Sequence, residues 1–304
     1  MGLHGLSSVT IGVPDVAGVA AFYAEFGLGP QDGGAFATTD GGRQLHLVER
    51  PIRRLVAATV AVDDPDDIAR VRARASAAGV TVLGTDDAAT FVDPISGAAF
   101  TLAVERRLLQ PRREPLDVNG PGYSGRVGER SPSIFLDEPT RPRKLGHVLM
   151  GTPDLEASMR FFIDVLGFKL SDSVPGLIAF VRCSTDHHNV GLMQAPVAFL
   201  HHTSWQVDDI DAIGRGAQHL LDRDPSCSVW GLGRHFLGSN LFWYFRDPAG
   251  NFAEYYSDLD HIPDDDVWMA RTWEPDKSLY AWGPPVPAAF VAPPDLASFA
   301  PAHA

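Results

Sequence analysis

Seven of the chain's 11 histidines fall between His147 and His235, and two of the seven recur at matched places in a repeat. Counting back seven residues from Asp154, which opens one helix, gives His147; the same count from Asp209 gives His202. Glu254 stands four residues after Gly250 in DPAGNFAEYY. Two imidazoles and a carboxylate from three separate strands make a facial donor set of the kind that holds Fe(II), or Mn(II), and leaves the opposite side of the ion open to substrate and O2. The same counts in the N-terminal half give Ser8 from Asp15 and Ala57 from Asp64, while four residues after Gly97 comes Thr101. That half keeps the repeat and lacks the donors. A single strand histidine is ordinarily a packing residue. Three ligand types at matched positions in one half are what point to metal.

The elements that position these residues are legible in the repeat. Residues 6–30, LSSVTIGVPDVAGVAAFYAEFGLGP, and 145–170, LGHVLMGTPDLEASMRFFIDVLGFKL, each read as a strand, a Pro-Asp turn, an amphipathic helix and a stopping Gly. In the second copy Leu155, Met159, Phe162, Ile163 and Leu166 follow helical spacing, with Asp154 as N-cap and Gly167 just past the C-terminus. Weaker copies occupy 55–75 and 200–221. Each is followed by strand-like segments closing on a turn, at Asp93-Pro94 and Asp247-Pro248. The expected class is α+β, with four modules in two pairs. Residues 1–105 form a domain without a metal site and 106–143 a linker. Residues 144–258 form the catalytic domain. The tail 259–304, rich in Pro, Trp and Asp, is expected to wrap or cap that domain.

Composition narrows the class of function. The 304 residues carry 25 Lys+Arg and 38 Asp+Glu, a net charge of −13, which argues against nucleic acid or an anionic membrane as partner. Two cysteines, Cys183 and Cys227, exclude a disulfide framework and fit a reducing compartment. There is no apolar run long enough to span a membrane, and the first residues lack the basic and apolar regions of a secretory signal. The expected location is the cytoplasm.

From about residue 6 to 260, and most strongly from 145 to 257, the chain resembles the type I extradiol ring-cleavage dioxygenases of the vicinal oxygen chelate superfamily. The segment GRHFLGSNLFWYFRDPAGNFAEYYSD (233–258) is similar to that family's signature region. The resemblance implies four βαβββ modules forming two domains, with metal only in the second. It implies that His147, His202 and Glu254 are the iron ligands and that His188, in DHHNVGL, is the acid–base residue. His235 and Tyr244 would hydrogen-bond the substrate. Arg43 is the module-one counterpart of His188, whereas His187, His201 and His219 are read as structural. Asn240 and Arg246 are read as turn residues. The bulky pair Phe236-Leu237 departs from the family's small residues and is expected to reshape the pocket, to which Trp205, Phe242 and Trp243 would lend apolar walls.

The implied activity is insertion of both atoms of O2 into a catechol, with cleavage next to the two hydroxyls to give a muconic semialdehyde-type product. The implied partners are the catechol, O2 and further copies of the chain in a homo-oligomer. Two other readings share the fold: an Fe(II) enzyme like 4-hydroxyphenylpyruvate dioxygenase, acting on a 2-oxo acid, and a non-catalytic binding protein for a small molecule. A glyoxalase-like isomerase fits less well, since its site is shared between paired half-modules.

Overall fold

The computed structural model describes residues 2–113 and 117–299. Met1, three residues of the expected linker and the last five of the tail lie outside the described residues. The architecture is α+β and is built of four βαβββ modules. The first runs from strand Leu3–Val13 through helix Val16–Glu25 to strand Gly42–Glu49; the second, from strand Arg54–Val62 through helix Pro65–Ala77 to strand Ala99–Val104. Together they make an 8-stranded sheet whose central pair, Leu3–Val13 and Arg54–Val62, is antiparallel. The third and fourth modules repeat this around Lys144–Thr152 and Phe199–Gln206. Their sheet has 10 strands because the C-terminal segment adds one at each edge: Arg271–Thr272 beside Lys169–Val174, and Tyr280–Trp282 beside Ser228–His235. The sheet therefore ends on strands of only two and three residues, which keeps its exposed edges short.

The registers of the two sheets correspond residue for residue. Ser8 pairs with Thr59 as His147 pairs with Ser204, and Thr10 pairs with Ala57 as Leu149 pairs with His202. Thr59 pairs with Thr101 as Ser204 pairs with Glu254. Period-2 alternation then puts His147, His202 and Glu254 on one face of one sheet. In the first sheet the equivalent face is half exposed at Ser8, Ala57 and Thr101. In the second, strand Phe252–Ser257 is buried throughout, because both of its faces are covered.

The third-module helix starts where its sequence predicts, with the Asp154 side chain accepting from Ala157 N at 2.9 Å. It ends at Gly167, whose φ of 88° only glycine adopts without strain. Its second half departs from α spacing: Leu155–Arg160 is α-helical, but Phe161–Leu166 is a π-helix. The wider turn brings the adjacent Phe161 and Phe162 both against Phe100 of the second module, with ring centroids 6.0 and 4.9 Å away. The halves are joined on the other side by Phe26 stacking on Tyr255 at 4.0 Å, so one apolar core runs through both.

Trp205 belongs to that shared core. It is fully buried, lies edge-on to Tyr23 at 6.3 Å, and does not line the pocket as its composition had suggested. Trp243 likewise packs against the core and stacks on Phe245. Strand parity explains both corrections. Trp205 alternates with His202 and Ser204, and Trp243 alternates with Phe242 and Tyr244, so each indole faces away from the site.

Candidate functional site

Three buried donor atoms converge between the strands Lys144–Thr152, Phe199–Gln206 and Phe252–Ser257. His147 Nε2 lies 3.2 Å from Glu254 Oε2 and 3.3 Å from His202 Nε2, and His202 Nε2 lies 3.6 Å from Glu254 Oε2. Donors bonded to a divalent ion at about 2.1 Å and set at right angles stand about 3 Å apart, so the spacing fits such an ion. A second observation agrees. Glu254 Oε1 accepts from Asn240 Nδ2 at 3.2 Å, but Oε2 is buried with no hydrogen-bond partner. A buried anionic oxygen facing two imidazole nitrogens is costly unless a cation lies among them. The three residues could hold a metal ion, and their imidazoles and carboxylate are the donor types that iron and manganese accept.

Electrostatics keep the donors in binding form. Burial pushes His202 well below the usual histidine range, and the neighbouring histidines add to this, so it is neutral. Burial alone would raise Glu254, but His147 and His235, 3.2 and 3.6 Å away, hold its carboxyl below the usual carboxylate range.

All six residues singled out by sequence meet at one place. His147, His188, His202, His235 and Tyr244 line a single cavity, and Glu254 lies 3.2 to 3.6 Å from His147, His202 and His235. The His188 ring lies 4.1 Å from that of His147 and 4.7 Å from Phe180. Burial and the adjacent histidines hold His188 well below its ordinary range, so its imidazole is neutral. Tyr244 Oη is 2.8 Å from His235 Nε2, while burial and Glu254 keep the phenol protonated.

Apart from Ser278, the other walls are apolar: Leu149, Ile178, Phe180, Leu237, Leu279 and Phe290. Among the described residues, no Lys or Arg lines the cavity. Of the bulky pair, Leu237 faces the cavity and Phe236 packs edge-on against Trp273. Phe242 stacks on His235 at 4.0 Å and buttresses it from behind.

Residues 144–255 match the Glyoxalase/Bleomycin resistance protein/Dioxygenase superfamily. The Mn(II)-bound glyoxalase from Novosphingobium aromaticivorans superposes with a TM-score of 0.72 at 26% identity, covering 93% of this chain and 92% of that one. An iron-dependent extradiol dioxygenase of Rhodococcus jostii is 30% identical over 159 residues, 47% of this chain and 51% of that protein. Metapyrocatechase 2 of Cupriavidus necator is 31% identical over 302 residues, covering 95% of this chain and 92% of that protein. The chain belongs to the extradiol dioxygenases of this superfamily. The metal of this extradiol dioxygenase is Fe(II) or Mn(II), since iron and manganese both occur among these relatives and both suit two nitrogens and a carboxylate.

Sequence reasoning set aside three residues that touch the site of this dioxygenase. Asn240, read as a turn residue, holds Glu254 Oε1. His187, read as structural, puts Nδ1 3.0 Å from His188 Nδ1 and Nε2 3.0 Å from Asp172 Oδ2. His201 puts Nδ1 2.8 Å from His202 Nδ1. The available signal was adjacency: His187-His188 and His201-His202 are the only two His-His pairs in the chain. His219 stays outside, on the surface beside Glu25.

Proposed function

We propose that this dioxygenase opens the ring of an uncharged, apolar-substituted catechol, breaking the carbon–carbon bond next to the two hydroxyls. His147, His202 and Glu254 hold the metal. When bound, Fe(II) or Mn(II) supplies one centre at which the vicinal diol and O2 meet and exchange electrons. The protein's own residues do the rest. His188 Nε2 accepts a hydroxyl proton from the diol and returns it as the O–O bond breaks, a task suited to a neutral imidazole. His235 accepts the Tyr244 hydroxyl on Nε2, and the two side chains together fix the ring's orientation. Leu149, Ile178, Phe180 and Phe290 hold the ring and exclude water. Both oxygen atoms end in a muconic semialdehyde-type product, as in the breakdown of aromatic compounds.

The observation that carries the substrate class is the cavity wall, which combines a buried three-donor cluster with apolar side chains and offers no cation to a ring carboxylate. A charged substituent would be desolvated there without a partner. The N-terminal pair of modules serves as scaffold, since Ser8, Ala57 and Thr101 offer no comparable donors. Two free, buried cysteines support a cytoplasmic location.

The test is O2 uptake by metal-loaded protein across a panel of catechols. Turnover of catechol and 3-methylcatechol, with kcat/KM at least about tenfold lower for 3,4-dihydroxybenzoate, supports the reading. Preference for the carboxylate, or O2 uptake only with a 2-oxo acid, contradicts it.

A further inference from the structure

The C-terminal segment touches the neighbour of one candidate ligand, His202, through a backbone atom. Phe290, on the short helix Ala288–Val291, has its carbonyl oxygen 2.6 Å from His201 Nε2. A peptide carbonyl can only accept, so His201 Nε2 carries a proton. The His201 ring is buried and enclosed by Phe252 and Phe290, with ring centroids 5.0 and 4.6 Å away. A neutral imidazole has one N–H, so His201 Nδ1 bears a lone pair. Its partner at 2.8 Å, His202 Nδ1, must therefore be the donor. His202 Nε2 is then left unprotonated, and Nε2 is the atom that faces His147 and Glu254. The assignment closes from the other end as well. A metal on His202 Nε2 requires the proton on Nδ1, which requires an acceptor in His201 and a donor toward Phe290.

We propose that His201 is a positioning residue that transmits the Phe290 carbonyl to His202 and locks His202 in the tautomer presenting Nε2 to the metal. The proposal rests on the reading of His202 as a ligand. The same segment does this once more: Leu279 O lies 2.5 Å from His235 Nδ1, which leaves His235 Nε2 to the Tyr244 hydroxyl. The tail thus sets the protonation pattern of two cavity histidines with main-chain atoms and shields neither by charge. Orientation of a metal-bound imidazole through its second nitrogen is a general device, and the intervening histidine here lengthens it by one ring.

Two measurements test the proposal. In the metal-free, 15N-histidine-labelled full chain, long-range 1H–15N spectra should show protonated Nε2 and bare Nδ1 on His201, and protonated Nδ1 and bare Nε2 on His202. The reverse pattern at either ring overturns the proposal, and this readout needs no variant to fold. Chelator competition should show Mn(II) binding about 10–100-fold weaker in His201→Phe. His201→Gln, which can accept and donate at once, should recover most of that loss. Unchanged Mn(II) affinity in a folded His201→Phe protein would make His201 a packing residue only and overturn the proposal. If the tautomers are as stated but wild type binds no metal, the ligand reading fails and the histidine couple stands.

Discussion

His187 Nδ1 lies 3.0 Å from His188 Nδ1, and the far nitrogen of His187 lies 3.0 Å from Asp172 Oδ2. The carboxylate accepts from His187 Nε2–H, His187 Nδ1 then accepts from His188 Nδ1–H, and His188 Nε2 faces the cavity bare. Asp172 is itself fixed by Arg271 N of the C-terminal segment, at 2.8 Å. Gly238 closes on both rings; a Cβ there would sit 3.3 Å from His187 Nδ1 and from His188 Cε1.

Removing the carboxylate should disorder this chain of donors. Asp172→Asn is expected to lower kcat by about 10–100-fold with KM changed by less than about threefold, and to leave metal content intact. His188→Phe should cost more, about 10²–10⁴-fold in kcat, again with metal retained. Steady-state kinetics with metal analysis on the same samples checks both. Equal kcat in Asp172→Asn and wild type would remove Asp172 from the mechanism.

Metal retention should depend on Glu254. Its Oε2 has no hydrogen-bond partner, so Glu254→Gln removes the charge that offsets the cation and is expected to weaken binding more than about 100-fold. Far-ultraviolet circular dichroism should stay at wild-type values. Metal analysis after dialysis against a weak chelator gives the answer.

Stability should depend on a cation from the N-terminal modules. Arg53 is buried, donates to Leu200 O at 2.7 Å, and pairs with Asp295 through two bonds of 2.7 and 2.9 Å. It pins the start of the His201-His202 strand and the C-terminal segment to the first domain. Arg53→Met is expected to cost about 2–3 kcal/mol, the lower part of the range because Asp295 is partly exposed. Urea denaturation measures the loss, and faster proteolysis of the C-terminal segment should accompany it.

A pH dependence follows from Asp247. Burial pushes its carboxyl up to about 6, although Asn251 donates to it from both N and Nδ2 at 2.9 Å. A raised folded-state value favours folding fully below the unfolded value of about 3.9 and loses that contribution as pH rises through about 6. The loss amounts to about 3 kcal/mol. Asp247→Asn does not titrate, so its stability relative to wild type should rise by about that amount between pH 4 and pH 7. Denaturant midpoints at both pH values, on metal-free protein, test the sign.

The fold and the donor cluster were legible because the sequence carries its own control. The turn aspartates mark equivalent strand positions four times, and the sheet registers keep that equivalence. Arg43 and His188 even sit two residues before the paired Leu45 and Val190. The supporting contacts were not legible, for a physical reason. His201 and His235 bond to the main-chain carbonyls of Phe290 and Leu279, and a carbonyl leaves no mark in side-chain type. Asp172 and Asn240 are ordinary polar residues until folding sets them beside His187 and Glu254. Trp205 could have been placed correctly, since it sits at odd spacing from His202.

The most direct test is a single turnover measurement under 18O2 with anaerobically Fe(II)-loaded protein and 3-methylcatechol. The expected result is one O2 consumed per substrate, a yellow ring-opened product, and both labelled atoms in it. Fully loaded protein that consumes no O2 with any uncharged catechol, or that yields a product cleaved between the two hydroxyls, would contradict extradiol cleavage at this site.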